Sequence, residues 1–240
     1  MKNENEIIYQ DDNFVVVNKT SGFLVFDDKE NKNTLKSIVE KHIGQEVFCV
    51  YSLDKEASGV LVFAKNKKTL KLLHELFREG KVLRQYVLLL SGVLENDNGT
   101  IDQRILVSKD SVHIDSEGQK ALTKYETIEK FCGYTLVKAT PLTQVRKQIR
   151  LHFWSIGNPL AIDKEYAGSS PIFLSSFKRR YKSKPDIEEK PLISRLTMHC
   201  EKIEFEMPAA AKNETKKYVF KSSLPDDLEI TIKQLRKYYK

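Results

Sequence analysis

The stretch VYSLDKEASGVLVFAKN, Val50 to Asn66, decides how this chain is read. Val60 to Ala64 is an unbroken apolar run of β-branched, aromatic and small side chains, the composition of a strand buried on both faces. Just before it stand Asp54, Ala57, Ser58 and Gly59, the residues of a turn. A carboxylate in such a place ordinarily caps its own turn. At the mouth of a buried strand it is also placed to meet a ligand.

Outward from this strand, short apolar runs alternate with few helices. Phe14 to Val17 reads as a strand followed by the glycine turn of NKTSG, and Thr34 to His42 as a short helix with Leu35, Ile38 and Val39 on one side. After Asn66, a suitable N-cap, Leu70, Leu73, Leu76 and Phe77 recur at helical spacing up to Gly80. The other face, with Lys67, Lys68, Lys71 and Arg78, reads as solvated. QYVLLLSG, the two halves of VHIDSEGQKALTKYETIEK, GYTLVKATPL and TMHCEKIEFEMP continue the strand series.

TQVRKQIRLHFWSIGNP changes period. Val145, Ile149, His152, Phe153 and Ile156 line one helical face, with Thr143 as cap and Gly157 then Pro159 as stop, while Arg146 and Arg150 share a neighbouring face. LPDDLEITIKQLRKYY is expected to be partly helical. Many strands, few helices and no regular βαβ alternation indicate an α+β fold on a mixed, mainly antiparallel sheet with flanking helices. Residues 1–13 read as a short tail, 14–240 as one domain, and 164–190, which includes FKRRYKSKP, as a basic loop.

Composition narrows the function. The 240 residues are 40% hydrophobic and 30% charged, ordinary for a globular chain able to bury a core. No apolar run reaches membrane length, and the polar, acidic opening is unlike a secretory signal. The three cysteines are scattered and form no C-x-x-C pair, so they read as buried reduced thiols of a cytoplasmic protein. The five histidines do not cluster, and neither metal nor organic cofactor is expected. Forty Lys and Arg against 33 Asp and Glu give a net charge of +7, which fits a polyanionic partner whose binding weakens as salt rises.

Taken in order, several pieces resemble the RluA-like pseudouridine synthases. NKTSGFLVF is similar to that family's N-K-P-x-G segment, and YSLDKEASGVLVFAKN to H-R-L-D-x-x-T-S-G-L-L-L-x-A-K. RQYVLLLSG resembles K-x-Y-x-A-x-V-x-G, and TQVRKQIRLHFWSIGNPLAID resembles T-G-R-T-H-Q-I-R-V-H-L-x-x-x-G-x-P-I-x-G-D. PLISRLTMHCEKIEFEMP is a weaker match to R-L-x-L-H-A-x-x-L-x-F-x-H-P.

The resemblance implies an RNA isomerase that converts uridine to pseudouridine without a cofactor. It makes Asp54 the carboxylate that attacks C1′ or takes the C2′ proton, Arg150 its cationic partner, and Tyr86 the ring that stacks on the flipped uracil. RNA contacts fall to Tyr51, Ser52, Lys55, Arg146, Lys147 and Gln148. His152 reads as structural, and Lys178 to Lys182 either as a grip on looped RNA or as a solvated loop. The stretch before Phe14 is too short for the S4-type RNA-binding domain of some relatives, and a monomer is the simplest expectation.

The chain departs from the pattern near the RNA. Ser52 replaces the arginine before Leu-Asp, Tyr51 the histidine and Ala57 the threonine, while Val145, Arg146 and Lys147 replace the R-T-H of the helix entry. Two readings follow: an active synthase in which Tyr51, Arg146 or Lys147 takes over from the missing arginine, or an RNA-binding protein with little or no catalysis. A glycosidase using Asp163 or Glu165 as second carboxyl lacks a paired motif.

Overall fold

The computed structural model describes residues 5–26, 33–109, 111–168, 170–182, 188–208 and 214–239. In chain order these form β1 (Ile7–Gln10), β2 (Phe14–Lys19), α1 (Leu35–Ile43), β3 (Phe48–Cys49), β4 (Ser58–Ala64), α2 (Lys67–Arg78), β5 (Leu83–Ser91) and β6 (Asn98–Asp102). They continue as β7 (Ile105–Val107), β8 (Val112–Ile114), β9 (Leu122–Phe131), β10 (Tyr134–Pro141), α3 (Gln148–Ser155), β11 (Met198–Pro208), β12 (Thr215–Lys221) and α4 (Asp226–Tyr238). Within the stretch read as one domain the chain divides into two compact units. One holds Met1–Tyr86, Thr140–Gln144 and His199–Ser223, the other Val87–Ala139, Val145–Met198 and Leu224–Lys240.

In the first unit the strands run β1-β2-β4-β11, with β3 also on β4 and β12 on β11. All these pairs are antiparallel except β4 with β11, which run parallel through His199↔Ser58 and Cys200↔Gly59. The fold class is therefore the mixed α+β expected. The supposed tail contributes β1, because Tyr9 packs on Phe14 and Phe220 with ring centroids 5.5 and 5.1 Å away. Every residue of β4 is buried, as its apolar run requires. Helix α2 starts where Asn66 accepts a hydrogen bond from the Thr69 amide at 2.8 Å, and Lys67, Lys68, Lys71 and Arg78 are exposed.

In the second unit the order is β5-β10-β9-β6, β5 and β10 each sharing residues with the first unit. One apolar cluster joins Val87 and Leu89 of β5, Phe131 and Leu136, and Leu228, Ile232 and Leu235 of α4. Arg195 fastens the start of α4 through two 2.7 Å bonds to Asp227. Among the described positions, residues 164–190 carry a short 3-10 turn, Leu174–Ser176, and two isolated bridges, Gly168 to Asp163 and Ile172 to Ile193; 169 and 183–187 lie outside them. No helix among the described residues is long and apolar enough to cross a membrane. Of the three free cysteines only Cys200 is buried; Cys49 is half-buried and Cys132 exposed, so burial of all three thiols does not hold.

Candidate active site

The Asp54 turn is built by the first unit alone. Lys19, at the end of β2, is fully buried and donates through Nζ to the carbonyls of Ala57 (2.7 Å), Lys55 (2.9 Å) and Thr20 (3.1 Å). Ser21 Oγ donates to Glu56 O at 2.8 Å and the Gly22 amide to Lys55 O at 2.8 Å, while the Ala57 amide closes the turn onto Asp54 O. A buried ammonium thus fixes the backbone on both sides of Glu56, and Asp54 is left half-buried at the rim. The resemblance placed Lys19 in a matching segment but gave it no role. Its acceptors lie up to 38 positions further along the chain, beyond any local spacing rule.

Ser58 and Gly59 attach the turn to β11. Ser58 Oγ lies 3.0 Å from His199 Nδ1, and His199 Nε2 lies 3.2 Å from Ser222 O, so Nε2 carries the proton and Ser58 donates to Nδ1. At Gly59, where φ is +117°, an added Cβ would fall 2.2 Å from the Cys200 carbonyl oxygen. Only glycine permits that approach.

Tyr86 lies on β5 and is buried. Burial pushes its phenol well up, helped by the Cys200 thiol and opposed by the nearby Arg84 guanidinium, so the hydroxyl keeps its proton. Burial also pushes Cys200 up to about 12. Arg84, two residues before Tyr86 and therefore on the same strand face, is 8% exposed. Its guanidinium carbon sits 5.5 Å from the Tyr51 ring centroid and 5.2 Å from that of Phe77, and Nη2 donates to Thr143 O at 3.3 Å. Arg84 Nε has no hydrogen-bond partner among the described residues. A charged residue at period two with the tyrosine was the signal that sequence reading passed over.

In the second unit Arg150 is not on a free helix face. It is 7% exposed, and its fork meets Asp163 at 2.7 and 2.6 Å before reaching Glu165 at 3.1 Å. Asp163 also accepts from the amides of Glu165 and Tyr166, so this carboxylate is a turn former that orients the arginine. The bidentate geometry explains why a long cationic side chain stays buried.

Around Arg150 a neutral network fixes α3. Gln148 Nε2 donates to Leu122 O (2.8 Å) and Thr123 Oγ1 (3.0 Å), and its Oε1 accepts from the Val145 amide at 3.1 Å. Thr123 Oγ1 in turn meets His152 Nδ1 at 2.9 Å, while His152 Nε2 faces Gln103 O at 3.3 Å. Burial lowers the imidazole pKa, in keeping with its structural role.

The residues expected at the RNA separate into two groups. Ser52 and Lys55 are exposed on the Asp54 turn, and Arg146 is exposed with only a long 3.4 Å bond to Ser108 O. Tyr51 and Gln148 are instead buried. The Tyr51 hydroxyl donates to Val60 O at 2.9 Å with its ring on Phe77, and the Gln148 amide is satisfied internally, so neither offers a face to RNA. Lys147 is ion-paired with Glu165. Thr143 caps nothing at α3, which begins only at Gln148, after Lys147 turns left-handed with φ at +58°.

A family model described as RNA pseudouridylate synthase matches residues 13–155. That match and the α+β fold define the class: an isomerase that acts on RNA. The chain is 31% identical over 231 residues to ribosomal large subunit pseudouridine synthase C of Buchnera aphidicola subsp. Baizongia pistaciae, covering 92% of this chain and 70% of that protein. It spans 61% of the same-named protein of Haemophilus influenzae, at 29% identity over 74% of this chain. Against the dual-specificity RNA pseudouridine synthase RluA of Pasteurella multocida, identity is 30% and coverage 85% of this chain and 87% of the other. The solved structure of human RNA pseudouridylate synthase domain containing 4 shares the fold, with a TM-score of 0.69 over 96% of this chain and 92% of that one at 22% identity. The chain belongs to the RNA pseudouridylate synthase family, as an RluA-like member.

Proposed function

We propose that this chain converts a uridine of ribosomal large-subunit RNA to pseudouridine, with Asp54 as the reacting carboxylate. The observation that carries this reading is the Lys19 clamp, which holds Asp54 half-buried at the end of a fully buried strand. The reaction is an isomerisation: the C1′–N1 bond breaks, the uracil turns, C1′ joins C5, the C5 proton leaves and N1 gains one. Atoms and electrons balance without a co-reactant. Asp54 attacks C1′ or removes the C2′ proton; Arg150 and Tyr86, the other two residues the resemblance assigns to the reaction, are buried, Arg150 on Asp163 and Glu165, and serve it only if RNA binding uncovers them.

A stacked uridine is out of reach, so the base must leave its helix, at a cost of a few kcal/mol. Ser52 cannot fill the space left behind. Among the residues considered for that task, Arg146 has its guanidinium at the surface, whereas Tyr51 is buried and Lys147 is paired with Glu165. Arg146 is therefore the replacement we favour, with Ser52 and Lys55 as lesser RNA contacts. We place the protein in the cytoplasm, acting as a monomer.

The test is a pseudouridine map of ribosomal and transfer RNA from wild-type cells, a deletion strain, and the deletion carrying Asp54→Ala. A large-subunit site lost on deletion and not restored by Asp54→Ala is the expected result. Restoration by Asp54→Ala would remove Asp54 from the chemistry. No lost site, with the protein still bound to RNA, would favour the binding-protein reading.

A further inference from the structure

We propose that the second unit carries an accessory RNA site, formed by Lys178, Arg179, Lys237 and Tyr238, that takes one nucleotide of a single-stranded or looped segment. The proposal rests on the RNA-modifying reading above and adds a place where substrate is held apart from the reacting uridine. A cavity of about 570 Å³ opens between the 3-10 turn and the end of α4, lined by Ser175, Ser176, Lys178, Arg179, Tyr238 and Tyr239 among others. That is within the size range of small-ligand sites. No Asp or Glu lines it among the described residues.

Its walls are preformed. The Lys178 amide donates to Leu174 O at 3.0 Å, and the chain then reverses through Arg180, which adopts a left-handed φ of +56°. Phe177 packs against Tyr239 with centroids 5.6 Å apart, and the Cys132 amide holds Tyr239 O at 3.0 Å. Within this frame the ammonium groups of Lys178 and Lys237 lie 5.2 and 5.0 Å from the Tyr238 ring centroid, and Lys178 also lies 5.9 Å from that of Tyr181. Hydrogen bonding to Lys237, with the field of Lys178, holds the Tyr238 phenol below its ordinary value. Glu189, a carboxylate of the neighbouring stretch, accepts from the Ser175 amide at 2.9 Å and from Tyr181.

Aromatic rings for a base, fixed cations for its phosphate and serine hydroxyls for the sugar edge are the parts of a single-strand RNA site. Among the described residues the lining of this cavity has no carboxylate for a basic partner. An acidic peptide would meet the cations but would leave the ring without a planar partner.

The proposal is tested with the full chain, a short fluorescein-labelled single-stranded RNA of mixed sequence, and unmodified large-subunit rRNA transcribed in vitro. Arg179 and Lys237 are exposed, so Arg179→Ala with Lys237→Ala leaves folding intact. The double variant should weaken short-RNA binding and lower the slope of log K against log salt by about 1.4, two cations at about 0.7 each. Tyr238→Leu should weaken binding about five-fold or more, and Tyr238→Phe, which keeps the ring, much less. For rRNA the double variant should raise KM and leave kcat unchanged, whereas Asp54→Ala abolishes turnover and keeps binding. Ultraviolet cross-linking of the unsubstituted protein should place RNA on the peptides containing residues 178–181 and 236–239.

Unchanged affinity in the double variant and Tyr238→Leu would overturn the accessory site while leaving the synthase reading intact. So would cross-links confined to other peptides, or displacement of the RNA by polyglutamate but not by unlabelled RNA. Failure of the unsubstituted protein to bind any RNA would overturn both.

Discussion

The turn that carries Asp54 and the turn that opens α3 are both held by buried polar side chains, through different chemistry. The first is fixed by a charge: the Lys19 ammonium gathers three backbone carbonyls, and Gly59 lets β11 close over the strand behind it. The second is fixed by neutral groups, an amide, a hydroxyl and an imidazole passed from Gln148 through Thr123 to His152. In each, the residue assigned to chemistry, Asp54 or Arg150, stands beside a larger set of side chains that hold backbone and one another. Most of the recognisable pattern is scaffold.

The comparison breaks most completely at Gly59. An alanine there would press its Cβ into backbone atoms at 2.2 and 2.5 Å with φ at +117°, so neither a rotamer nor a side-chain shift relieves it. Gly59→Ala should lose on the order of 4 kcal/mol, enough to leave little folded protein in a thermal melt. Gly157→Ala, at the end of α3 with φ at +77° and no atom within 4 Å of the new Cβ, should lose only about 1 kcal/mol. Equal losses would mean that conformation alone, and not the close contact with Cys200, governs Gly59.

Lys19→Met tests the charged turn next. It takes the ammonium away from the buried Ala57 carbonyl and from Thr20 O, while Lys55 O keeps the Gly22 amide, and should lower stability by about 2 kcal/mol, against about 1 kcal/mol for Thr123→Val in the neutral network. Turnover at saturating RNA should fall further for Lys19→Met, because the backbone it releases is the one that aims Asp54. Turnover preserved in Lys19→Met, despite lower stability, would make the clamp a folding device only.

The neutral network has a pH signature of its own. Burial holds His152 below the unfolded value of about 6.5, so the folded chain prefers the neutral imidazole and the unfolded chain takes up the proton first. This contribution is complete above pH of about 6.5 and is lost as pH falls from there through the lower folded value. Denaturant melts across that range should show the decline, and His152→Asn should flatten it. The same decline in His152→Asn would assign it to other groups.

These sets also show what the sequence could reveal. Asn66 was readable as a cap because it accepts from an amide three residues on, within its own segment, whereas Thr34, read as the first helical residue, turns out to be the cap of α1 in the same way. Asp54, Tyr86 and Arg150 were assigned to the reaction from the order of the matching pieces alone. Lys19 and Arg84 were not readable, because their acceptors lie as far as 38 and 59 positions away. Tyr51 and Gln148 were read as RNA contacts from position alone, yet each satisfies its polar end on a neighbouring strand or turn. Strand β12 was missed because of its side chains only Phe220 is buried, too sparse a pattern to mark a strand.

The smallest expected effect lies at Lys147, where the second turn departs from the first in using a non-glycine residue at positive φ. An L-residue in that region loses about 1 kcal/mol or more, and the half-exposed pair with Glu165 returns about 0.5 kcal/mol. Lys147→Gly should therefore raise stability by about 0.5 kcal/mol, measured as a shift in denaturant midpoint at constant slope. Because the ammonium is engaged by Glu165, RNA affinity should hardly change, while Arg146→Ala, one residue earlier and exposed, should weaken it. A loss of affinity in Lys147→Gly with a salt slope lower by about 0.7 would return Lys147 to the RNA face. The left-handed turn would then be what carries its ammonium from Glu165 to phosphate.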